Sequence, residues 1–595
     1  MHNYKKLFER PLPSSRSGAF YNTFSYPTKI SPESIGVYIA TMTKPGDTVL
    51  DVFSGSGSTG VAALLCEYPT DRMKELAEEF GVKPIWGKRN AVLSELGTYA
   101  SFASKTITSK VKSSEFKQTV DDFVTRADEE IGDLYKTLDP EGNLGIIRYV
   151  IWSEVIVCPN CGHEMLYFDQ GTKRNPVEFL KEIECPKCKK NHNADDYSFA
   201  TEKYQDPILN CSIVRKKRVP AWIYGTTNGE NWDRKATSQD KITFGRIEHK
   251  LLEYRGTAKR IKWGELHRSG YHFGIEYLHQ FYTERNFYVF HKLWDITNIY
   301  DDEIRDALRL LLLSYNSTHC TLMTRVVAKK NSKDFVLTGA QSGVLYVSKL
   351  PVEKNILLGL KRKAKPFIDA YKLLENCKGN VTVLNHSSEK LELANESIDL
   401  IFTDPPFGDF IPYAEVNQIN ELWLDAVTDR VSEVIISSSQ NKGLEEYQVM
   451  LGNVFGEMNR VLRKDKKACV VFHAAKAKVW EAFATVINEN RFQIIETNIL
   501  SKDQASFKQV VSDSSVQGDP IVLLQKDTKV TNGLKNDIAN EVLLRVISNH
   551  KDETDKRRLY SLYIDECLEK GIKVALDAKE AYSFIQKEKK CEKKQ

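Results

Sequence analysis

The pentapeptide Thr403-Asp404-Pro405-Pro406-Phe407 closes an apolar run, Ile398-Asp399-Leu400-Ile401-Phe402, that reads as a buried strand. An acidic side chain, two prolines and an aromatic ring at the carboxyl end of such a strand make a rigid, polar-tipped slot suited to gripping a planar amino group. The bland alternative is a turn after a strand, since prolines punctuate strands. A second segment argues against it. Pro45-Gly46-Asp47-Thr48-Val49-Leu50-Asp51-Val52-Phe53-Ser54-Gly55-Ser56-Gly57-Ser58-Thr59-Gly60, followed by the apolar run 61–65, reads as turn, strand, glycine-rich loop and helix. Glycines there let the backbone pass close to a ligand while a helix amino terminus points at it. The loop lacks the lysine of a phosphate-gripping loop and the third glycine of a dinucleotide fingerprint. Phe53 beside the glycines suits an adenosyl ring better than a pyrophosphate.

Four of the eleven cysteines fall in two C-x-x-C knuckles, Cys158-Pro159-Asn160-Cys161 and Cys185-Pro186-Lys187-Cys188, about two dozen residues apart. Each knuckle lets two thiolates reach one ion from a tight turn, and four thiolates close a tetrahedral Zn2+ site with no open position, which makes it structural. His163 and His192 are spare ligands that four cysteines make unnecessary. Thioredoxin-like redox chemistry would leave the second knuckle unexplained.

An FxGxG loop followed by a (D/N/S)PP(Y/F) tetrapeptide resembles the S-adenosylmethionine-dependent amino-methyltransferases. More closely, the chain resembles the zinc-ribbon-containing adenine-specific DNA methylases. Further support comes from Tyr26-Pro27-Thr28-Lys29 in the position of that family's leading motif, from Gly408-Asp409-Phe410-Ile411-Pro412-Tyr413-Ala414, and from Phe455-Gly456-Glu457-Met458-Asn459-Arg460-Val461-Leu462 before strand 468–473. The resemblance covers about the first hundred residues and about 380–527, and Val52 stands where the family usually has proline. It implies transfer of a methyl group from S-adenosyl-L-methionine to the exocyclic amino group of adenine in DNA. The implied cofactor set is Lys29, Asp51, Phe53, Ser54, Gly55, Gly57, Thr59 and Glu95, the last on the ribose hydroxyls. The implied catalytic set is Asp404, Pro405, Pro406 and Phe407. The Asp404 carboxylate and the Pro405 carbonyl would each accept one amino hydrogen, while Phe407 stacks on a base that has left the duplex.

The elements that must position these groups follow from periodicity. Strands are expected at 90–94, 380–384, 398–402, 468–473, 492–500 and 520–525, with helices at 71–80, 445–462 and 479–488. The fold class is α/β: a Rossmann-like methyltransferase sheet, mostly parallel with an antiparallel last pair. It is interrupted by an insertion of about 280 residues, too long for a loop. The expected organisation is an amino-terminal methyltransferase part at 1–100, an inserted target-recognition region at 101–378 with the zinc ribbon near 155–192, a second methyltransferase part at 379–527, and a charged helical extension at 528–595 whose end reads as a solvated tail.

A chain of 595 residues predicts about three to four domain-sized units. Hydrophobic content of 41% and charged content of 28% are ordinary for a globular protein. No apolar run reaches membrane-spanning length and no signal core follows Met1, so a cytoplasmic location is expected. A net charge of +4 is too small to argue nucleic-acid binding, so a basic surface must be local. Two inserted clusters interleave with aromatics: Arg215, Lys216, Lys217 and Arg218 before Trp222 and Tyr224, and Lys259, Arg260 and Lys262 beside Trp263. Both are expected to contact DNA phosphates. A restriction-modification or phage-defence system would supply further subunits as partners. Rival readings are a cytosine 4-amino DNA methyltransferase, an RNA amino-methyltransferase, and a non-catalytic DNA-binding subunit that keeps the fold. No Pro-Cys pair is present to support ring-carbon methylation.

Overall fold

A computed structural model describes residues 3–9, 12–14, 18–502, 519–527 and 539–592. They divide into two compact units: one of Met1–Ser113, Asp369–Asn417 and Ala426–Gln595, the other of Ser114–Ile368 and Gln418–Asp425.

The first unit is built on eight strands: β1 (Leu12–Ser14), β2 (Thr48–Asp51), β3 (Asn90–Ser94), β4 (Val381–Leu384), β5 (Ile398–Thr403), β6 (Leu462–Val471), β7 (Phe492–Lys502) and β8 (Asp519–Lys526). Their order across the sheet is β1-β7-β8-β6-β5-β2-β3-β4. The pairs from β4 through β6 are parallel, and β8 runs antiparallel to both β6 and β7. Every residue of β5 is buried, as an interior parallel strand demands. Its one acid, Asp399, is satisfied by the Thr48 amide at 3.0 Å and by Arg463 at 2.5 Å. The chain runs one way from β2 through β3 to β4 and the other way from β5 to β6. The carboxyl tips of β2, β3 and β5 therefore stand side by side at the point where strand order reverses, the usual ligand position in an open α/β sheet.

Helices cover this sheet for legible reasons. Pro32–Met42 starts with proline at its first turn, and Asp71–Phe80 lies between a Thr70 cap and a left-handed Gly81. Leu444–Val461 buries Tyr447, Leu451, Val454, Phe455, Met458 and Val461, a single apolar stripe. The carboxyl-terminal extension departs from the expected appendage. Helices Ala539–Asn549, Lys556–Glu569 and Ala578–Glu592 put Val542, Leu559, Tyr560, Tyr563, Ile564, Cys567, Ala581 and Ile585 into the same core as β6 and β8. They belong to the first unit. The segment 503–518 lies outside the described residues, as do the last three residues of the chain.

In the second unit, the 14-residue strand Leu144–Val157 pairs along its length with Lys136–Leu138, Glu164–Leu166, Ser198–Phe199, Arg218–Thr227 and Val352–Lys354. Arg285 and Glu353 form a fully buried ion pair between helix Glu284–Ile296 and this sheet, and Trp152 donates to the same carboxylate at 2.7 Å. The boundaries differ from the expected 101–378. Helix Thr98–Ile107 stays with the first unit because its Ser104 hydroxyl donates to the Gly55 carbonyl at 2.9 Å. The eight residues Gln418–Asp425 cross into the second unit, which no sequence feature announced. Trp423 is 3% exposed, with its ring centre 4.6 Å from Phe290, 5.7 Å from Phe287 and 5.8 Å from Trp294, and its indole N–H reaches the Tyr282 hydroxyl at 3.0 Å.

Replacing that ring leaves a large cavity and removes one of the two hydrogen bonds of the Tyr282 hydroxyl, the other running to Asn316. Trp423→Ala is expected to cost about 3–5 kcal/mol of stability, read as a lowered denaturant midpoint with unchanged slope. An unshifted midpoint would show that the segment is not anchored as described.

Candidate active site and cysteine cluster

A cleft of about 1000 Å³ opens at the carboxyl tips of β2, β3 and β5. Its lining joins Tyr26 to Ile30, Asp51 to Ser56, Ser58, Thr59, Glu95 to Gly97, Ser387, Ser388, Asp404, Pro406 and Tyr413. Segments more than 300 residues apart in sequence thus share one wall, and they include seven of the eight expected cofactor residues. The eighth, Gly57, is buried behind the loop.

Positive backbone angles at Gly55 (φ +48°) and Gly57 (φ +77°) fold the loop back before helix Ser58–Leu65. A side chain on Gly57 would meet the Ser104 backbone at 3.0 Å, and one on Gly55 would meet the Tyr26 ring at 3.0 Å. Gly57 therefore serves packing of the loop, which corrects its expected place against the cofactor. The Glu95 carboxylate accepts from the Gly55 amide at 2.6 Å and from the Gly97 amide at 2.7 Å. Asp51, 5% exposed, accepts from the Thr59 hydroxyl at 2.6 Å and the Phe53 amide at 3.1 Å. Burial pushes its carboxyl up to about 6, against the bonds from Thr59, Thr403 and Phe53 that favour the charged form. Lys29 spends its ammonium on the Phe20 carbonyl at 2.6 Å and lies over the Phe24 ring. Ser388 ties the loop from β4 to the Val52 carbonyl and the Ser94 hydroxyl, each at 2.7 Å.

Asp404 and Pro406 line the cleft at the end of β5. The Pro406 carbonyl accepts from Tyr447 at 2.7 Å, which holds the tetrapeptide to helix Leu444–Val461. Phe407 departs from expectation. It is 8% exposed, sits in the core with its ring edge-on to Phe472 at 5.8 Å, and does not line the cleft. The aromatic faces beside Asp404 are instead Tyr26 and Tyr413, stacked with centres 5.8 Å apart and tilted by 20°. Thr28 is 3.1 Å from the Tyr413 hydroxyl. Glu433, on the stretch after residue 425, also lines the cleft and accepts from the Ala414 amide at 2.9 Å. No local signal marked Glu433; Tyr26 and Tyr413 lay inside motifs already noted without a role.

The four cysteine Sγ atoms of the second unit lie within 4.8 Å of one another, with Cys158–Cys188 and Cys161–Cys185 at 3.7 Å. A tetrahedral ion with bonds of about 2.3 Å sets its ligands about 3.8 Å apart. The two knuckles close identically. The Cys158 amide donates to the His163 carbonyl and the Gly162 amide to the Cys158 carbonyl, as Cys185 does with Lys190 and Lys189 with Cys185. Among the described residues no histidine joins the cluster, so the four thiols alone can hold a metal ion.

The basic clusters fare differently. Arg215 is clamped by Glu202 at 2.8 Å and Glu284 at 2.6 Å with its guanidinium over Tyr204, and Lys216 and Arg218 share Glu154 at 2.8 and 3.0 Å. Lys216 is 4% exposed. Lys217 pairs with Glu164 at 2.6 Å, and Lys259 reaches the Leu422 carbonyl and Asp425. Their charges are neutralised inside the unit, so the expectation of a phosphate-facing run does not hold for Arg215, Lys216, Arg218 or Lys259. Arg260 and Lys262 are exposed, Arg260 with Glu276 at 3.5 Å.

Residues 2–68, which carry Tyr26 to Lys29 and the glycine-rich loop, match the protein family described as DNA methylase. No curated protein matches the chain. The family match supports a DNA amino-methyltransferase in outline. No described helix is long and apolar enough to cross a membrane.

Because the folded-state pKa of Asp51 lies above its ordinary 3.8, the folded protein binds the extra proton between about pH 4 and pH 6, and stability falls as pH rises through that window. Asp51→Asn can keep both hydrogen bonds and escapes the penalty. The variant without cofactor should melt higher than the parent at pH 7.5, by up to about 3 kcal/mol, and no higher at pH 4. Equal melting of the two proteins at pH 7.5 would contradict the shifted carboxyl.

Proposed function

We propose that the chain is an S-adenosyl-L-methionine-dependent DNA methyltransferase acting on the exocyclic amino group of adenine, built on a Rossmann-like sheet with a zinc-ribbon insertion. The observation that carries this is the charge of the cleft. Asp51, Glu95, Asp404 and Glu433 line it, against Lys29 as the one lysine or arginine among the described lining residues. Such a wall attracts a sulfonium and repels a phosphate. The loop amide that a nucleotide phosphate would need, at Gly55, is already given to Glu95. The residues present therefore fit S-adenosyl-L-methionine: Glu95 toward the ribose hydroxyls, Phe53 and Ile30 as apolar wall, and the loop backbone along the amino-acid end. When bound, it supplies an electrophilic methyl group.

An aromatic amine is a weak nucleophile because its lone pair is shared with the ring. The Asp404 carboxylate accepts an amino hydrogen, which draws the nitrogen toward a tetrahedral arrangement and frees its lone pair; Pro405, expected to accept the other, is buried and does not line the cleft. The Pro406 carbonyl is spent on Tyr447, so the tetrapeptide stays rigid while this happens. The ring face for the extruded base comes from the Tyr26–Tyr413 pair, since Phe407 faces the core. Aspartate in the first position of the tetrapeptide, where serine also occurs, favours adenine over cytosine. Zn2+ held by Cys158, Cys161, Cys185 and Cys188 orders the insertion and takes no part in the chemistry.

Asp404→Ala should lower single-turnover methyl transfer at least about a hundredfold, as loss of a transition-state contact does, while calorimetry shows S-adenosyl-L-methionine affinity kept within about twofold. Near-normal turnover would remove Asp404 from the chemistry. Elemental analysis should find one zinc per chain. Cys185→Ser should lose the metal and expose the second unit to limited proteolysis before cofactor affinity falls. Protein purified without chelator that holds no zinc would refute the metal assignment.

A further inference from the structure

The run Lys361-Arg362-Lys363-Ala364-Lys365 lies on helix Leu357–Leu374 of the second unit and meets basic side chains from two other elements. His319 comes from the short π-helical segment Asn316–Cys320, a rare conformation that often marks functional positions. Lys354 ends the strand Val352–Lys354, and its ammonium lies 3.3 Å from His319 Nδ1. The lysine ammonium has no acceptor, so Nδ1 accepts and the ring carries its proton on Nε2. Lys354, Lys363 and His319 are all half-buried. Among the described residues no carboxylate pairs with His319, Lys354 or Arg362. The contrast with Arg215, Lys216 and Arg218, each held by glutamate, is sharp.

Half-burying Lys354 near Arg362 without an acid is costly. The cost shows in their titration. Burial, followed by Lys354, Lys363 and Arg362, holds His319 down at about 3; burial and then Arg362 lower Lys354; burial brings Lys363 to about 8. A site strained in this sense is relieved by an anion with several oxygens.

We propose that His319, Lys354, Arg362 and Lys363 form a phosphate-binding site that grips the sugar-phosphate backbone of the DNA substrate, in place of the 215–218 run. This rests on the reading of the protein as a DNA methyltransferase. His319 Nε2–H and the two lysines donate to one phosphodiester, and exposed Arg362 reaches it or its neighbour, positioning the duplex without reading its bases.

The test uses the full chain with Lys354→Met and Arg362→Gln, and measures affinity for a DNA duplex from 50 to 300 mM salt. Each variant should bind about fivefold more weakly at 0.1 M salt and flatten the log-log salt slope by about one. S-adenosyl-L-methionine affinity should stay the same. Lys354→Met should also melt higher than the parent, which a merely structural lysine would not allow. Parent-like DNA affinity and slope in both variants would overturn the site while the parent still methylates DNA. If the parent itself bound no DNA at any salt, both the site and the reading beneath it would fall. If inorganic phosphate at matched ionic strength stabilised the parent alone, while DNA affinity ignored both substitutions, the site would belong to a free anion and the DNA assignment would be wrong.

Discussion

The Glu95 carboxylate binds two backbone amides in the wall of the cleft, Gly55 at 2.6 Å and Gly97 at 2.7 Å, and the character of the site follows from this. A glycine-rich turn leading into a helix is by default an anion receptor. Here the receptor is filled by the protein's own carboxylate, carried on the tip of β3 beside β2. The loop is thereby fixed, the cleft becomes acidic, and a phosphate is turned away. Asp51 adds to the effect from beneath, bonded to Thr59 and Phe53 and charged only against the pull of burial. With Asp404 at the neighbouring strand tip, the same edge suits both the cationic donor and the amine acceptor proposed for it.

This edge exists because the sheet order reverses between β2 and β5. The insertion of Ser114–Ile368 between β3 and β4 does not disturb it, since β4 and β5 rejoin β3 and β2 in parallel register. The two-unit division is not a simple excursion. Twelve residues past Pro406, the chain gives Gln418–Asp425 to the second unit's aromatic core and then returns to supply Thr428 and Glu433 to the cleft.

The strands and the cleft's main residues were legible because they rest on local signals. Period and glycine placement located β2, β3, β5 and the loop to within a residue or two. What failed did so for a common reason: a charged residue type says nothing about its partner. Arg215 and Lys216 are successive residues of one strand, each with a glutamate brought from elsewhere in the chain. Phe407 fits a base-stacking motif by type, yet Phe472 and His473 hold it inward. The carboxyl-terminal helices carry an apolar stripe at Leu559, Tyr560, Tyr563, Ile564 and Cys567 that the intervening charges obscured. Trp423 had no local pattern at all, because its partners come from residues 282–294.

The central claim is that this cleft moves a methyl group from S-adenosyl-L-methionine to an amino group of adenine in DNA. Incubating the purified chain with methyl-tritiated S-adenosyl-L-methionine and, in parallel, double-stranded DNA and RNA, then digesting to nucleosides, tests it directly. The account predicts label in the DNA sample alone, migrating as N6-methyladenine. Label in RNA, label on cytosine, or no transfer to any nucleic acid would contradict it.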